Sequence, residues 1–201
     1  MKIGPKFKIA KRLGAPIFEK TQTQKFALSQ ARAGKTRKRV GQASDYKRQL
    51  IEKQKMRFTY GITEKQLRRY VDEAVEKSTQ PVSILMERLE SRLDNVVYRL
   101  GLAKTRRLAR QIVSHGHIIV NGKRLSVPSH KMRVGDIVTV REGSKISPLF
   151  AQLGDTHESA GVPSWLSFEA KKLTGSVTAV PVYNPAEALF DPEQVMEFYS
   201  R

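Results

Sequence analysis

Hydrophobic residues recur at helical spacing in the middle of the chain. Behind Thr63, five apolar positions fall at i, i+3, i+4, i+7 and i+8, the spacing of one helix face, and they are Leu67, Tyr70, Val71, Ala74 and Val75. Thr63 with Gln66 three residues later forms a capping-box signature, which predicts where this helix begins. A second helix is predicted from Pro81, with an apolar stripe of Leu85, Leu89, Leu93, Val96, Val97 and Leu100. Because the stripe continues to Gly101, the chain near residue 92 is predicted to be helical.

Residues 105–114 are predicted to form a shorter helix whose two sides differ in chemistry. At about 100° per residue, one side is apolar, with Leu108, Ala109, Ile112 and Val113, and the other holds Arg106, Arg107, Arg110 and Ser114. Thr105 suits the N-cap, and Gly116 suits a helix end that needs a positive φ. The Asn121-Gly122 pair that follows predicts a β-hairpin over residues 118–125.

The flanking regions give further elements. Ser44-Asp45 opens a predicted helix that runs to about Tyr60 and is basic on several sides, so we expect it to lie between the core and a binding partner. Asp191-Pro192 caps a predicted last helix. Short strands are predicted at residues 138–140, 165–168 and 177–180.

The first 43 residues show no sustained period. They are rich in Lys, Gln, Gly and Thr, and they carry the cluster Arg37-Lys38-Arg39 between Gly34 and Gly41. Segments of this composition bury little apolar surface alone. Residues 1–43 are therefore predicted to be a basic arm without a hydrophobic core, mobile in the free protein and ordered on its partner.

Charge indicates what that partner is. The 201 residues carry 37 Lys and Arg against 19 Asp and Glu, a formal net charge of +18. Solubility of a small domain needs a net charge of only about 2–8, so the excess indicates a polyanion. The charge is also uneven: residues 1–57 carry +14 and 91–141 carry +9, whereas 58–90 carry −1 and 142–201 carry −4. Two basic segments separated by a near-neutral one are typical of a protein that lies along a nucleic acid.

Several classes of protein are disfavoured by what the sequence lacks. It contains no cysteine, which rules out disulfides, thiolate zinc sites and a cysteine nucleophile. Its longest apolar runs are about four residues, whereas a membrane-spanning helix needs roughly twenty. No apolar stretch follows Met1-Lys2-Ile3, so no secretory signal is expected.

Motifs that suggest chemistry have simpler interpretations. Gly34-Lys35-Thr36 resembles part of a phosphate loop, but the position five residues before Gly34 is Ser29, where that loop needs glycine. His115 and His117 are too few to hold a metal ion by themselves, so no metal site and no cofactor are predicted. For His115 two interpretations stay open, a contact to phosphate or base and a solvated turn histidine.

The acidic residues do not form a catalytic set. Acid–base catalysis needs paired groups in a shielded pocket. Asp45 and Asp191 are placed to cap helices, Asp136 lies in a turn, and Asp94 lies among arginines and is interpreted as an ion-pair partner. The chain is therefore predicted not to be an enzyme.

Aromatic residues accompany the cations of the predicted helix 44–60. Such side chains either stack on nucleobases or pack against a neighbouring helix. We predict packing for Phe58, and for Tyr46 and Tyr60 both interpretations stay open.

Several strings in the chain occur together in one known family. They are Ser44-Asp45-Tyr46, Gln49-Leu50, Glu52-Lys53-Gln54-Lys55, Tyr60-Gly61, Arg92-Leu93-Asp94-Asn95-Val96-Val97-Tyr98-Arg99, Ala109-Arg110-Gln111, Val113-Ser114-His115, Ile119-Val120-Asn121-Gly122 and Phe198-Tyr199-Ser200-Arg201. In these strings the chain resembles the bacterial small-subunit ribosomal protein four family. The match spans nearly the whole chain and is strongest over residues 44–141.

The resemblance implies an α+β fold, a mainly helical domain with an inserted small RNA-binding domain of a helix pair and β-hairpins. The expected limits are 1–43 for the basic N-terminal arm, 44–91 with 181–201 for the helical domain, and 92–180 for the inserted domain and the segment after it. Some members of the family hold zinc through N-terminal cysteines, and this chain has none, so it would be a zinc-free form.

The function implied by the resemblance is that of a structural constituent of the small ribosomal subunit. Such a protein binds 16S rRNA as a primary binder, nucleates assembly of the subunit body and contributes to translational accuracy. The implied partners are 16S rRNA, ribosomal protein five and other small-subunit proteins, and messenger RNA at its entrance. The implied location is the cytoplasm, bound to the ribosome, with an organellar ribosome left open.

Candidate RNA contacts follow from the basic segments together with the resemblance. They are Arg37, Lys38, Arg39, Tyr46, Arg48, Lys53, Lys55, Arg57, Arg68, Arg69, Arg92, Lys104, Arg106, Arg107, Arg110, His115, Lys123 and Arg124. Two other functions would also account for a basic chain. An RNA-modifying enzyme such as a pseudouridine synthase would need a catalytic domain of its own, and a DNA-compacting protein would bind duplex DNA as well as structured RNA.

Overall fold

The computed structural model describes residues 3–36, 44–151, 161–184 and 188–201. The chain divides into two compact units, the first formed by Met1–Leu85 with Asn184–Arg201 and the second by Met86–Tyr183. Helices and one antiparallel sheet are both present, which confirms the predicted α+β class. None of the described helices has the length and apolar character that a membrane crossing requires.

The first unit is helical. Its helices are α1 (Lys6–Leu13), α2 (Gln24–Thr36), α3 (Asp45–Tyr60), α4 (Glu64–Lys77) and the terminal α10 (Pro192–Tyr199), while α5 (Pro81–Glu90) begins in this unit and ends in the second. The predicted caps are present. Ser44 Oγ accepts from the Lys47 N–H at 3.4 Å, and Thr63 Oγ1 accepts from the Gln66 N–H at 3.3 Å. Gly61 ends α3 with a φ of 63°, which glycine adopts without strain.

The N-terminal segment corrects one prediction. Residues 6–36 form α1, a 3₁₀ turn at Glu19–Thr21 and α2, with a buried cluster of Ala10, Leu13, Ala15, Ile17, Phe18 and Phe26. Ile51 and Phe58 of α3 pack against this cluster. The prediction of an arm without a hydrophobic core is therefore wrong for this segment. Its apolar residues come from two helices and a turn, so no single period reveals them.

The terminal helix forms as predicted and lies against α3. The Asp191 carboxylate caps α10 by accepting from the backbone N–H of Glu193 at 2.9 Å. Across the helix pair, Gln49 Nε2 donates to Glu197 at 2.8 Å, and the Asp191 N–H donates to Glu52 at 3.0 Å. Polar contacts thus join α3 to α10 across about 140 residues of sequence.

The second unit packs helices on a five-stranded sheet. Its helices are α6 (Leu93–Arg99), α7 (Arg106–Ser114), α8 (Glu142–Lys145) and α9 (Pro148–Ala151), and its strands are β1 (Ile118–Val120), β2 (Lys123–Arg124), β3 (Ile137–Val140), β4 (Leu166–Glu169) and β5 (Thr174–Val177). The strand order is β2-β1-β3-β5-β4, with every pairing antiparallel. The core joins both layers, from Leu93 and Ile112 on the helices to Val138 and Trp165 on the sheet side.

The predicted helix at 105–114 and the predicted hairpin are confirmed. Thr105 caps α7 by accepting from the Leu108 N–H at 3.0 Å. Asn121 and Gly122 have φ values of 48° and 78°, and two positive φ values are the requirement of the type I′ turn between β1 and β2.

Two predicted elements differ from the structure. The continuous helix through residue 92 is wrong: α5 ends at Glu90, and Arg92 pairs with Lys131 as an isolated β-bridge. The Leu93 N–H then donates to His130 O at 2.9 Å, so a contact from 37 residues away interrupts the helix. The strand predicted at residues 177–180 lies instead at Thr174–Val177, where Gly175 approaches the side chain of Leu100 too closely for any Cβ.

Candidate nucleic-acid interface

The start of α7 concentrates positive charge. Lys104 and Arg107 are exposed and Arg106 is half-buried, with no acidic residue in the first turn of the helix. The N-terminus of a helix carries a partial positive charge and favours anions there. Cations at this position gain nothing from the helix itself, which indicates that they meet an external anion.

Arg106 is held in place by α6. Its Nε donates to Asn95 Oδ1 at 2.8 Å, and its guanidinium lies over the Tyr98 ring, 4.4 Å from the centroid. Asn95 is itself buried, and its Nδ2 donates to the Glu90 carboxylate at 2.8 Å. Arg99 also donates to Glu90, at 2.9 and 3.1 Å. This buried network therefore fixes the orientation of Arg106, which lies on the cationic side of α7.

Arg110 is anchored by a buried carboxylate. Its Nε lies 3.8 Å from Asp94 Oδ2, and Asp94 is 7% exposed. Asp94 also receives two hydrogen bonds from Arg92, from Nε at 3.0 Å and Nη2 at 2.7 Å. The interpretation of Asp94 as an ion-pair partner rather than a catalytic acid agrees with this geometry.

The interpretation of Arg92 as an RNA contact has to be corrected. Its side chain has no exposed surface and forms the bidentate pair with Asp94. A fully buried guanidinium cannot reach a phosphate, so Arg92 supports the interface from inside. Its role was missed because Arg92 stands outside both helices, and local spacing does not reveal its burial.

A second group of cations lies where α7 ends and the hairpin begins. The Arg124 guanidinium donates to the His115 carbonyl at 3.2 Å and lies directly against Gly116. A Cβ at Gly116 would require the Arg124 guanidinium to move, and the φ of 72° by itself favours glycine there. Lys123 and His115 are exposed beside this group.

Arg141 belongs to the same group, although the sequence did not single it out. The Arg141 N–H donates to the His117 carbonyl at 2.9 Å, because β3 pairs with β1 in a register that places Val140 opposite Ile118. Burial lowers the pKa of His117, and the charges of His115, Arg141 and Arg124 lower it further. The positive charges of Arg124 and Arg141 act on the same histidine, so they lie on one electropositive surface. Only the strand register brings Arg141 here, so no local signal could have found it.

In the first unit, the interpretation of Lys53 as an RNA contact also has to be corrected. It is 6% exposed, its ammonium donates to Glu64 at 2.8 Å, and it lies 4.1 Å from the centroid of the Phe198 ring. Lys53 therefore fastens α10 to α3 instead of facing a partner. Lys55 is half-buried and paired with Glu52 at 2.6 Å.

The other candidates of this unit are more accessible. Arg48, Arg68 and Arg69 are exposed, with Arg48 paired to Asp45 at 2.6 Å and Arg69 to Glu73 at 3.7 Å. Surface pairs of this kind are worth little, so their charges remain available to a partner. Arg37, Lys38 and Arg39 lie outside the described residues.

Aromatic residues of α3 pack within the protein. Phe58 lies edge-on to Phe18 with centroids 6.1 Å apart, as predicted, and Tyr60 is buried beside Phe190. Tyr46 lies 5.6 Å from Phe198 but keeps 53% of its surface exposed. Packing is therefore the role of Tyr60, while Tyr46 retains an open side.

Glu64 is the electrostatic centre of the contact between α3, α4 and α10. Burial by itself would raise the pKa of Glu64, but hydrogen bonds from Lys53 and Tyr199, with the charges of Lys53 and Arg57, bring it below its ordinary value of 4.5. Burial, followed by the hydrogen bond to Glu64, raises the pKa of Tyr199 far above 10. Among the described residues, no three His, Asp or Glu side chains come together as metal ligands would.

Family models cover most of the chain. One described as "S4 domain" matches residues 91–138, which hold α6, α7 and the hairpin. Another, described as "Ribosomal protein S4/S9 N-terminal domain", matches residues 1–93. Together they span residues 1–138, which include the cations described above except Arg141.

Curated relatives match over nearly their full length, and each is named small ribosomal subunit protein uS4. The one from Persephonella marina is 41% identical over 200 residues, covering 98% of both chains. Those from Chromobacterium violaceum and Chloroflexus aurantiacus are 41% and 42% identical over 202 and 203 residues, each covering 99% of this chain and 98% of the relative. This similarity, together with the two family models, shows that the chain belongs to the small ribosomal subunit protein uS4 family.

Proposed function

We propose that the chain is a structural, non-catalytic constituent of the small ribosomal subunit that binds 16S rRNA directly. It acts early, nucleates assembly of the subunit body and contributes to translational accuracy. Its further partners are ribosomal protein five and other small-subunit proteins, with messenger RNA at its entrance, and it works bound to the ribosome in the cytoplasm. Membership of the uS4 family supports the general role.

The row of arginines on α7 is the observation that carries RNA binding. Arg106 and Arg110 are tethered by Asn95 and Asp94, while Arg107 between them is free to extend. A long side chain that is already oriented loses less conformational freedom when it binds. Guanidinium groups also bind phosphate through paired N–H donors. Two oriented guanidinium groups with a third between them therefore suit the regular phosphates of folded RNA.

The spread of charge supports an extended RNA contact. Exposed cations occur in both units, including Arg68 and Arg69 on α4 and the group at Arg124 and Arg141. Each phosphate that a cation neutralises releases counterions and strengthens binding. A contact of this kind fits a primary binder, which has to hold rRNA before other proteins arrive.

A comparison of affinities tests direct binding. The full-length protein is titrated separately with a minimal 16S rRNA junction and with duplex DNA of equal length, at the same salt concentration. We expect tight binding to the RNA alone, because A-form RNA presents a different groove and the 2′-OH. Arg107→Ala should weaken RNA binding and lower the salt slope by about 1. Lys171→Ala, an exposed cation outside the interface, is the matched control. Equal affinity for both nucleic acids would overturn the proposal.

The contact with ribosomal protein five is tested separately. Isolated small subunits are treated with a lysine-reactive cross-linker, and linked peptides are identified by mass spectrometry. We expect links between this chain and ribosomal protein five. Subunits that contain both proteins yet give links only to other neighbours would contradict this part of the proposal.

A further inference from the structure

An apolar groove lies between α1 and α3 in the first unit, outside the cationic groups described above. It is a cavity of about 390 Å³, within the range of about 300–1,000 Å³ that small-molecule sites occupy. Its floor is formed by aliphatic and aromatic side chains, namely Ile9, Leu13, Leu50, Ile51 and Phe58.

The rim of this groove is cationic. Arg12, Lys47 and Arg57 line it, and none of the acidic residues that the structure describes does. Arg12 and Lys47 are exposed and form no ion pair with any residue the structure describes. An apolar floor under three positive charges is complementary to a flat apolar ring attached to an anion.

Polar atoms in the groove add the means to hold such a ring. The side chain of Arg57 lines the groove, and its Nη1 donates to Glu64 at 3.4 Å. Gln54 also lines the groove and offers an amide donor and acceptor. The Arg57 guanidinium already lies 5.0 Å from the centroid of the Phe58 ring, so a planar cation and an aromatic face adjoin the cavity.

We propose that the groove takes one unstacked nucleobase of the bound RNA, with the adjoining phosphates on Arg12 and Lys47. Single-stranded bases are recognised by stacking and by hydrogen bonds to their edges, and the groove supplies both. This inference rests on the proposed function, because the base belongs to the RNA that the chain binds. A protein segment fits less well, since it would have to be both apolar and acidic.

Replacing the floor tests the proposal. Leu50→Glu places an acid in the groove, and Val75→Glu makes the same change at an exposed apolar position of α4. With the minimal rRNA junction, Leu50→Glu should weaken affinity at least about fivefold, as expected for loss of one stacked base. Val75→Glu should cost about twofold at most. If Leu50→Glu alters the thermal melt measured by circular dichroism, the RNA affinity of Gln54→Ala, which keeps the floor intact, provides a second test.

A cross-link identifies the occupant. Because the chain has no cysteine, Lys47→Cys gives one site for a photoreactive label at the rim. Labelled protein bound to rRNA should cross-link mainly to one unpaired nucleotide, and Leu50→Glu should abolish that product.

The outcomes separate the two claims. If the unmodified chain fails to bind the rRNA junction, both the proposed function and this inference are wrong. If it binds and Leu50→Glu and Gln54→Ala resemble Val75→Glu, the inference alone is wrong. In reconstituted subunits, cross-links from position 47 to a protein would show that the groove docks a polypeptide and would also overturn it.

Discussion

Asp94→Ala is the substitution whose effect the structure defines most sharply. The carboxylate of Asp94 accepts two hydrogen bonds from Arg92, at 3.0 and 2.7 Å, and Arg92 has no exposed surface. Removing Asp94 leaves a buried guanidinium without this carboxylate. Breaking a buried pair from one side costs about 3–5 kcal/mol, and Arg110, which is partly exposed, adds little.

The assay follows urea unfolding of the full-length chain by tryptophan fluorescence. Trp165 is the only tryptophan in the sequence and is buried in the same core as Leu93 and Val96, so it reports on the second unit. The control is Glu142→Ala, which removes an acid that is 85% exposed from a pair with Lys145 in the same unit. We expect the control to lower the free energy of unfolding by less than about 1 kcal/mol.

A double substitution separates the pair from its surroundings. Asp94→Leu combined with Arg92→Met removes both charges and keeps apolar volume, so much of the lost stability should return. A cost below about 1 kcal/mol for Asp94→Ala would refute the reasoning, since it would mean that Arg92 is not buried against this carboxylate.

Three further outcomes are expected. Phe18→Ala should lower the free energy of unfolding by about 3–5 kcal/mol, because Phe18 is buried against Phe58. An unchanged thermal melt, followed by circular dichroism, would mean that the N-terminal helices do not pack on α3. Glu64 binds its proton more weakly in the folded than in the unfolded chain, so its stabilisation is present above pH 4.5 and is lost as pH falls through the lower folded pKa. The stability gap between the unmodified chain and Glu64→Gln should therefore shrink below pH 4.5, and a gap that widened there would contradict this sign. Binding to the rRNA junction should show a log–log salt slope near −4 to −9, as about 6–10 phosphate contacts give, and a slope shallower than about −2 would contradict an extended phosphate contact.

The elements found from sequence are those whose signals are local. The helix at 105–114 and the hairpin depend on a period, a Thr105 cap and an Asn121-Gly122 turn that are all within a few residues of one another. The caps at Ser44 and Thr63 are equally local. These features need no knowledge of the rest of the fold.

The features that the sequence did not predict depend on contacts between residues that are far apart along the chain. The break before α6 comes from hydrogen bonds to residues 128–131, which periodicity within α5 and α6 cannot reveal. The sequence around Lys53 predicts a surface cation, because it does not reveal that Phe198 of α10 packs against it. The cluster around Phe18 is assembled from two helices and a turn, so its apolar residues are spread without a period.

The candidate site shows the same division. Arg106, Arg107 and Arg110 were identified because they share one side of a single helix. The residues that anchor them, Asp94 and Asn95, could be assigned only from the packing of α6 on α7. Sequence therefore located the charges, and the structure revealed the buried groups that orient them.

Sedimentation tests the central claim most directly. A lysate from cells that express the tagged chain is run on a sucrose gradient, and the fractions are probed for the chain and for 16S rRNA. We expect the chain to migrate with small subunits in an amount equal to that of 16S rRNA, and to leave that position after ribonuclease treatment. A chain that stays at the top of the gradient while intact small subunits sediment without it would contradict its role as a constituent of the subunit.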